Sequence, residues 1–112
     1  MTQHAPLFCF GTLRSGLCNH DLIRGRYRKR LQARLYGYER ISHWFIEENA
    51  VDCALGELFF LSDEDYDEVL AACDELESIP PGELAGEWYE RKLVTVSTEE
   101  GEFEAWAYVT PQ

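Results

Sequence analysis

No apolar run in this chain approaches the roughly 18–20 residues that a membrane-spanning helix needs. Cysteine is sparse and unpatterned: Cys9, Cys18, Cys53 and Cys73 include no CxxC pair, and His4, His20 and His43 form no HExxH. Spacing therefore builds no zinc site, and no metal is expected. Residues 1–6 are polar, and the apolar segment 7–10 is too short for the core of a signal peptide. The expectation is a cytoplasmic chain with reduced thiols, in which Cys9 and Cys73 pack as small hydrophobes. Positive charge is also scarce, since 10 Lys and Arg face 21 Asp and Glu for a net charge of −11. Such a field repels phosphate backbones, so neither nucleic acid nor a membrane is an expected partner. Repeats and low-complexity linkers are absent. What is present, 112 residues with 46% hydrophobic content, reads as one domain over 1–112 that buries a core without staples.

The few cations are unevenly placed. Arg14, Arg24, Arg26, Arg28, Lys29, Arg30, Arg34 and Arg40 fall in one early stretch, and most acids follow it. A local anion site stays open on this pattern. So does contact with an acidic partner, which would weaken steeply with salt. The plainer reading pairs these arginines with the chain's own surplus acids, where each surface pair adds little.

Periodicity outlines an α+β domain. Residues 7–10 (LFCF) form a compact apolar run that stops at Gly11, as a buried strand feeding a loop does. Asn19 or Asp21 is placed to cap a short helix through Arg24. Residues 31–38 alternate weakly, 44–46 are a further strand candidate, and 54–61 (ALGELFFL) are a better one, with Gly56 allowing a bulge or a close backbone approach. Ser62 is placed as an N-cap, with Asp63, Glu64 and Asp65 suited to the positive helix start. Tyr66, Val69, Leu70, Cys73 and Leu76 follow helical spacing, which predicts one apolar face ending near Glu77, before Pro80-Pro81-Gly82. Residues 88–97 and 103–109 are β-rich and joined by Thr98-Glu99-Glu100-Gly101-Glu102, the pattern of a hairpin. A largely antiparallel sheet of this kind commonly closes into a barrel, which removes exposed edges.

Standard catalytic patterns fail. The loop Gly11-Thr12-Leu13-Arg14-Ser15-Gly16 has no Lys-Ser/Thr at Walker spacing, and GxSxG is absent. Two features remain. The glycine-bounded loop presents backbone N–H groups able to cradle a small anion or carboxylate, although its glycines equally serve only to relieve positive φ. Glu77 stands at a helix C-terminus, where the dipole and partial burial raise a carboxylate's pKa toward general acid–base use. Composition alone does not separate it from a solvated glutamate at a fraying end. Tyr89-Glu90-Arg91 and Trp106-Ala107-Tyr108 read most simply as cross-strand sheet residues.

Taken in order, these segments resemble the γ-glutamylcyclotransferase-like family, including its avirulence-induced and γ-glutamylamine cyclotransferase branches. The family's strand and Y-G-T-L-x-x-G stand here as Phe8-Cys9-Phe10-Gly11-Thr12-Leu13-Arg14-Ser15-Gly16, and its G-E-L-[YF] strand as Gly56-Glu57-Leu58-Phe59. Its L-D-x-L-E-G helix end is matched by Cys73-Asp74-Glu75-Leu76-Glu77-Ser78, its Y-x-R by Tyr89-Glu90-Arg91, and its A-W-x-Y by Ala105-Trp106-Ala107-Tyr108. The matches span nearly the whole chain.

The resemblance implies a small mixed, largely antiparallel β-barrel with flanking helices, and a pocket between the 11–13 loop and the helix end. It also implies an enzyme that converts a γ-glutamyl amine or γ-glutamyl amino compound to 5-oxoproline and the free amine, with no cofactor. Carried over, Gly11, Thr12 and Leu13 bind the substrate, Phe10 floors the pocket, Glu77 is the acid/base, and Tyr89 and Tyr108 are further pocket residues. Arg14 or Arg91 is then a candidate for the positive charge that an anionic substrate needs. The alternative on the same fold is a non-catalytic domain binding a small carboxylate. Two positions depart from the pattern: Phe10 replaces the usual tyrosine, and Ser78 replaces the glycine after the motif glutamate. Residues 78–88, rich in glycine and proline, are a candidate lid.

Overall fold

The structure is a computed structural model that describes residues 4–10, 22–40 and 46–109. In chain order it comprises β1 (Leu7–Cys9), β2 (Tyr27–Arg40), β3 (Ile46–Leu61), a 3-10 turn (Asp63–Asp65), α1 (Tyr66–Leu76), β4 (Glu90–Thr98) and β5 (Gly101–Val109). The strands close into a barrel in the order β1-β3-β2-β4-β5. All pairings are antiparallel except that of β1 with β5, where Leu7 lies beside Trp106. The barrel is thus mixed, as the resemblance implies, with one α-helix among the described residues.

Alternation builds two cores from the same strands. Phe8, Leu31, Ala33, Leu35, Ala54, Leu58, Val96, Ala105, Ala107 and Val109 fill the barrel, together with Phe10 and Tyr38. Their neighbours Leu7, Cys9, Phe59, Leu61 and Tyr108 point the other way and meet Tyr66, Val69, Leu70 and Cys73 of α1, with Ile79 beyond it. Gly56 serves the first core by close approach, because the Ala33↔Gly56 register runs through it without a shift. A Cβ there would overlap the Cys9 carbonyl oxygen and sit 2.8 Å from Phe8 Cζ. Register shifts fall elsewhere, between Tyr27 and Lys29 and between Tyr36 and Tyr38.

The elements read from the sequence are found, with altered edges. The weak alternation at 31–38 is the centre of the much longer β2, and 54–61 is the second half of β3. Trp44 and Phe45 of the 44–46 segment, and most of the helix expected before Arg24, lie outside the described residues. The hairpin is tighter than its five-residue signal, with Thr98 opposite Gly101.

Ser62 does precede the helical segment, but its side chain makes no cap bond, and its carbonyl accepts from Asp65 N at 3.1 Å. Leu76 differs from expectation: it is 41% exposed, and Ile79 takes the last buried place of the stripe. The cause is how the helix stops. Ser78 adopts φ 60, Ser78 N bonds Glu75 O at 3.1 Å, and Ile79 N bonds Asp74 O at 2.9 Å. This Schellman closure folds Ile79 back under α1 and turns Leu76 outward.

Candidate active site

Glu77 is the C-cap residue of α1. Its position follows from the closure just described, which ends the helix where Cys73 packs against the barrel and leaves the next carboxylate at the rim of that contact. Burial is the main cause that raises its pKa from the ordinary 4.5 to about 7, opposed by a hydrogen bond from Tyr89. The phenol of Tyr89 is pushed up to about 12 by its own burial and by Glu77, so near neutrality it is protonated and donates.

The thiols nearby are protonated too. Burial and the Glu77 and Asp74 carboxylates push Cys73 up to about 12. Cys9 is held well above its ordinary value by burial, with Cys73, Glu57 and Glu77 adding to it. Neither has the thiolate character of a nucleophile. The group here that changes charge near pH 7 is the Glu77 carboxyl.

One helical turn upstream, Asp74 receives the Arg91 guanidinium through Nε at 2.8 Å and Nη2 at 3.1 Å. Tyr108 OH donates to the same Asp74 Oδ1 at 2.6 Å. Burial first, then the acidic surroundings, raises the Tyr108 pKa, so this donor also keeps its proton. Arg91 lies over the Trp106 ring, 4.4 Å from its centroid. Trp106 Nε1 in turn donates to Tyr66 OH at 3.0 Å, and Tyr66 OH donates to Ala5 O at 2.9 Å. This network was not legible as a unit, although Asp74, Arg91, Trp106 and Tyr108 all fall within the matched motifs.

The structure brings Glu77 and Tyr89 together and places Tyr108 beside Asp74, 4% exposed. Phe10 is buried with the barrel-filling side chains. Gly11, Thr12, Leu13 and Arg14 lie outside the described residues. Arg91, considered as a charge for the substrate, has its guanidinium on Asp74, with the two side chains 12% and 15% exposed. Within residues 78–88, the candidate lid, Leu84 O accepts from Arg91 N at 2.7 Å and Gly86 N donates to Tyr89 O at 2.8 Å. Among the described residues no group of three His, Cys, Asp or Glu is arranged to hold a metal ion. No described helix is long and apolar enough to cross a membrane.

The sequence profile of the family described as gamma-glutamyl cyclotransferase, AIG2-like matches residues 7–112. The chain belongs to this family. Solved structures agree on the gamma-glutamyl cyclotransferase fold. YkqA from Bacillus subtilis superposes with a TM-score of 0.73 at 22% identity, covering 96% of this chain and 36% of that one. A protein from Arabidopsis thaliana solved in solution gives 0.69 at 19% identity, over 98% of this chain and 64% of the other. A structure described as gamma-glutamyl cyclotransferase gives 0.61 at 17% identity, over 96% and 67%. The chain thus spans only about a third of YkqA. No curated protein sequence matches it.

Proposed function

We propose that this member of the gamma-glutamyl cyclotransferase family is a cyclotransferase that acts on γ-glutamyl amines or γ-glutamyl amino compounds, with Glu77 as its acid/base. The reading is carried by one observation: a largely buried carboxyl that titrates near pH 7 and is held by a protonated phenol. The reaction needs such a group twice. The substrate's α-ammonium first gives a proton to the Glu77 carboxylate. The freed amine then attacks its own side-chain carbonyl, the new C–N bond closes a five-membered ring, and the leaving nitrogen takes the proton back from Glu77 as the amide bond breaks. The ring nitrogen's second proton passes to Glu77 and on to the released amine, which departs as its ammonium. The products are 5-oxoproline and the free amine. A base with a pKa close to ambient pH performs both transfers well.

The remaining catalysis is positioning. The family motif assigns Gly11, Thr12 and Leu13 to binding the γ-glutamyl end, with Phe10 as the pocket floor, and backbone N–H groups suit a developing oxyanion. Tyr89 orients the Glu77 carboxylate, and Tyr108 backs the pocket through Asp74. The test is 5-oxoproline release from glutathione, γ-glutamyl-alanine and γ-glutamyl-ε-lysine, with wild type and Glu77→Gln compared. Release that collapses in a folded Glu77→Gln protein supports the assignment. Release that survives moves the role to another group, and no release by folded wild type favours a binding domain for small carboxylates.

A further inference from the structure

Two side chains from the end of α1 meet two from the start of β4. Asp74 and Glu77 stand three residues apart and share a face of the helix end. Tyr89 stands immediately before β4, and Arg91 is its second residue. They pair rung to rung: Arg91 chelates Asp74, and Tyr89 bonds Glu77. The ion-pair rung is the better braced, with Tyr108 donating to Asp74 from β5 and the Trp106 ring beneath the guanidinium. By contrast, the connection from 80 to 88 is mostly exposed.

The charges around Glu77 also balance. Cys9 from β1, Cys73 from α1, Tyr89 from the approach to β4 and Tyr108 from β5 all hold their protons near neutrality. Glu57 of β3 faces Cys9 and lies 3.3 Å from Gln32 Nε2 and 3.6 Å from Arg30 Nε. Glu75, next along α1, is exposed to solvent. The Asp74–Arg91 ion pair, two opposite charges in contact, stands one helical turn from this carboxyl.

We propose that Asp74 and Arg91 are positioning residues for this reaction: their ion pair holds Tyr89 on Glu77 and keeps opposite charges balanced beside the carboxylate. The inference rests on Glu77 being the acid/base. It predicts opposite effects from the two halves of the pair. Asp74→Asn releases the guanidinium from its partner one helical turn from Glu77, which lowers the carboxyl's titration midpoint. Arg91→Gln leaves the Asp74 carboxylate unpaired beside Glu77 and raises that midpoint. The double variant restores the balance and returns it toward the wild-type value. Loosening of the fold alone has no reason to produce opposite signs.

The test is carboxyl-carbon NMR titration of the glutamate-labelled full chain, with Glu77 assigned by its absence in Glu77→Gln. It is run on wild type, both single variants and the double, beside the pH dependence of kcat for 5-oxoproline release from γ-glutamyl-alanine. Opposite shifts in the singles and recovery in the double support the proposal; shifts of one sign, or none, overturn it. Should a single variant fail to fold, Arg91→Lys keeps the charge and loses the two-point contact. It is expected to hold the Glu77 midpoint while kcat falls about 10–100-fold at little-changed KM, and a displaced midpoint or an unchanged kcat overturns the proposal. Absence of release by folded wild type sinks the cyclotransferase reading instead, and the midpoints still decide whether the ion pair is coupled to Glu77.

Discussion

The barrel interior and the seam beneath α1 are both closed to water, and the same strands build both, yet they differ in chemistry. Inside the barrel, aromatic and aliphatic side chains meet alanines, with Tyr38 the one member of this core, among the described residues, that carries a side-chain polar atom. The seam mixes Leu7, Phe59 and Val69 with the thiols of Cys9 and Cys73 and the phenols of Tyr66 and Tyr108. Asp74, Arg91 and Glu77 lie along its edge. An apolar core is specified by volume, and an inserted group destabilises it. A seam with satisfied polar partners instead fixes where a carboxyl sits and how acidic it is. On the proposed reading, proton chemistry is thereby confined to one side of the sheet.

That division is broken most sharply by Glu77→Gln. If the seam exists to tune this carboxyl, the substitution lowers 5-oxoproline release by about 10²–10⁴-fold while circular dichroism stays that of wild type. The counterpart inside the barrel is Gly56→Ala, whose new methyl meets the Cys9 carbonyl and the Phe8 ring. It is expected to destabilise the protein by about 1–3 kcal/mol, read from urea unfolding. An undisturbed midpoint there would show that the interior yields more readily than its packing implies.

The seam's electrostatics offer a finer contrast. The folded pKa of Glu77, about 7, lies above its ordinary 4.5. Between those values the unfolded chain has lost this proton and the folded chain has kept it, so Glu77's contribution to stability is lost as pH rises through that window. The base form grows over the upper part of the same window, so the acid limb of kcat/KM is centred near pH 7. Tyr89→Phe removes the bond that favours the carboxylate, and both midpoints then move to higher pH. A limb that stays in place would mean that burial alone sets the acidity.

How much of this could be read beforehand differs between the two regions. Alternation disclosed the interior because it is a local property, while Tyr27, Arg28, Lys29 and Arg30 hide the start of β2 under charge, and Glu39 and Arg40 its end. The matched motifs pointed to Glu77, which composition and spacing alone do not separate from a solvated glutamate at a helix end. The seam's network was out of reach. Asp74 and Arg91 are seventeen residues apart, and Tyr108 and Trp106 arrive from another strand. Only the closure of the barrel decides that these groups meet. For the same reason the resemblance leaves Arg91, like Arg14, a candidate charge for an anionic substrate, whereas its guanidinium sits on Asp74. Leu76 misled because spacing cannot show where a helix leaves the surface it packs on.

The smallest expected effect falls at the edge of the seam. Ser78 occupies the left-handed region at φ 60, the position after the helix end that glycine fills without strain. A side chain there costs about 1–2 kcal/mol, while glycine's greater unfolded freedom takes back roughly 0.5–1 kcal/mol. Ser78→Gly is therefore expected to stabilise the protein by up to about 1 kcal/mol, read as a higher urea midpoint at unchanged slope. The closing bonds from Ser78 N and Ile79 N are backbone bonds that glycine keeps, so the gain comes from strain alone. Were Ser78→Gly neutral or destabilising, the serine side chain would be offsetting its own strain through contacts at the helix end. The boundary of the seam would then be held by side-chain chemistry, as its middle is, and not by backbone geometry.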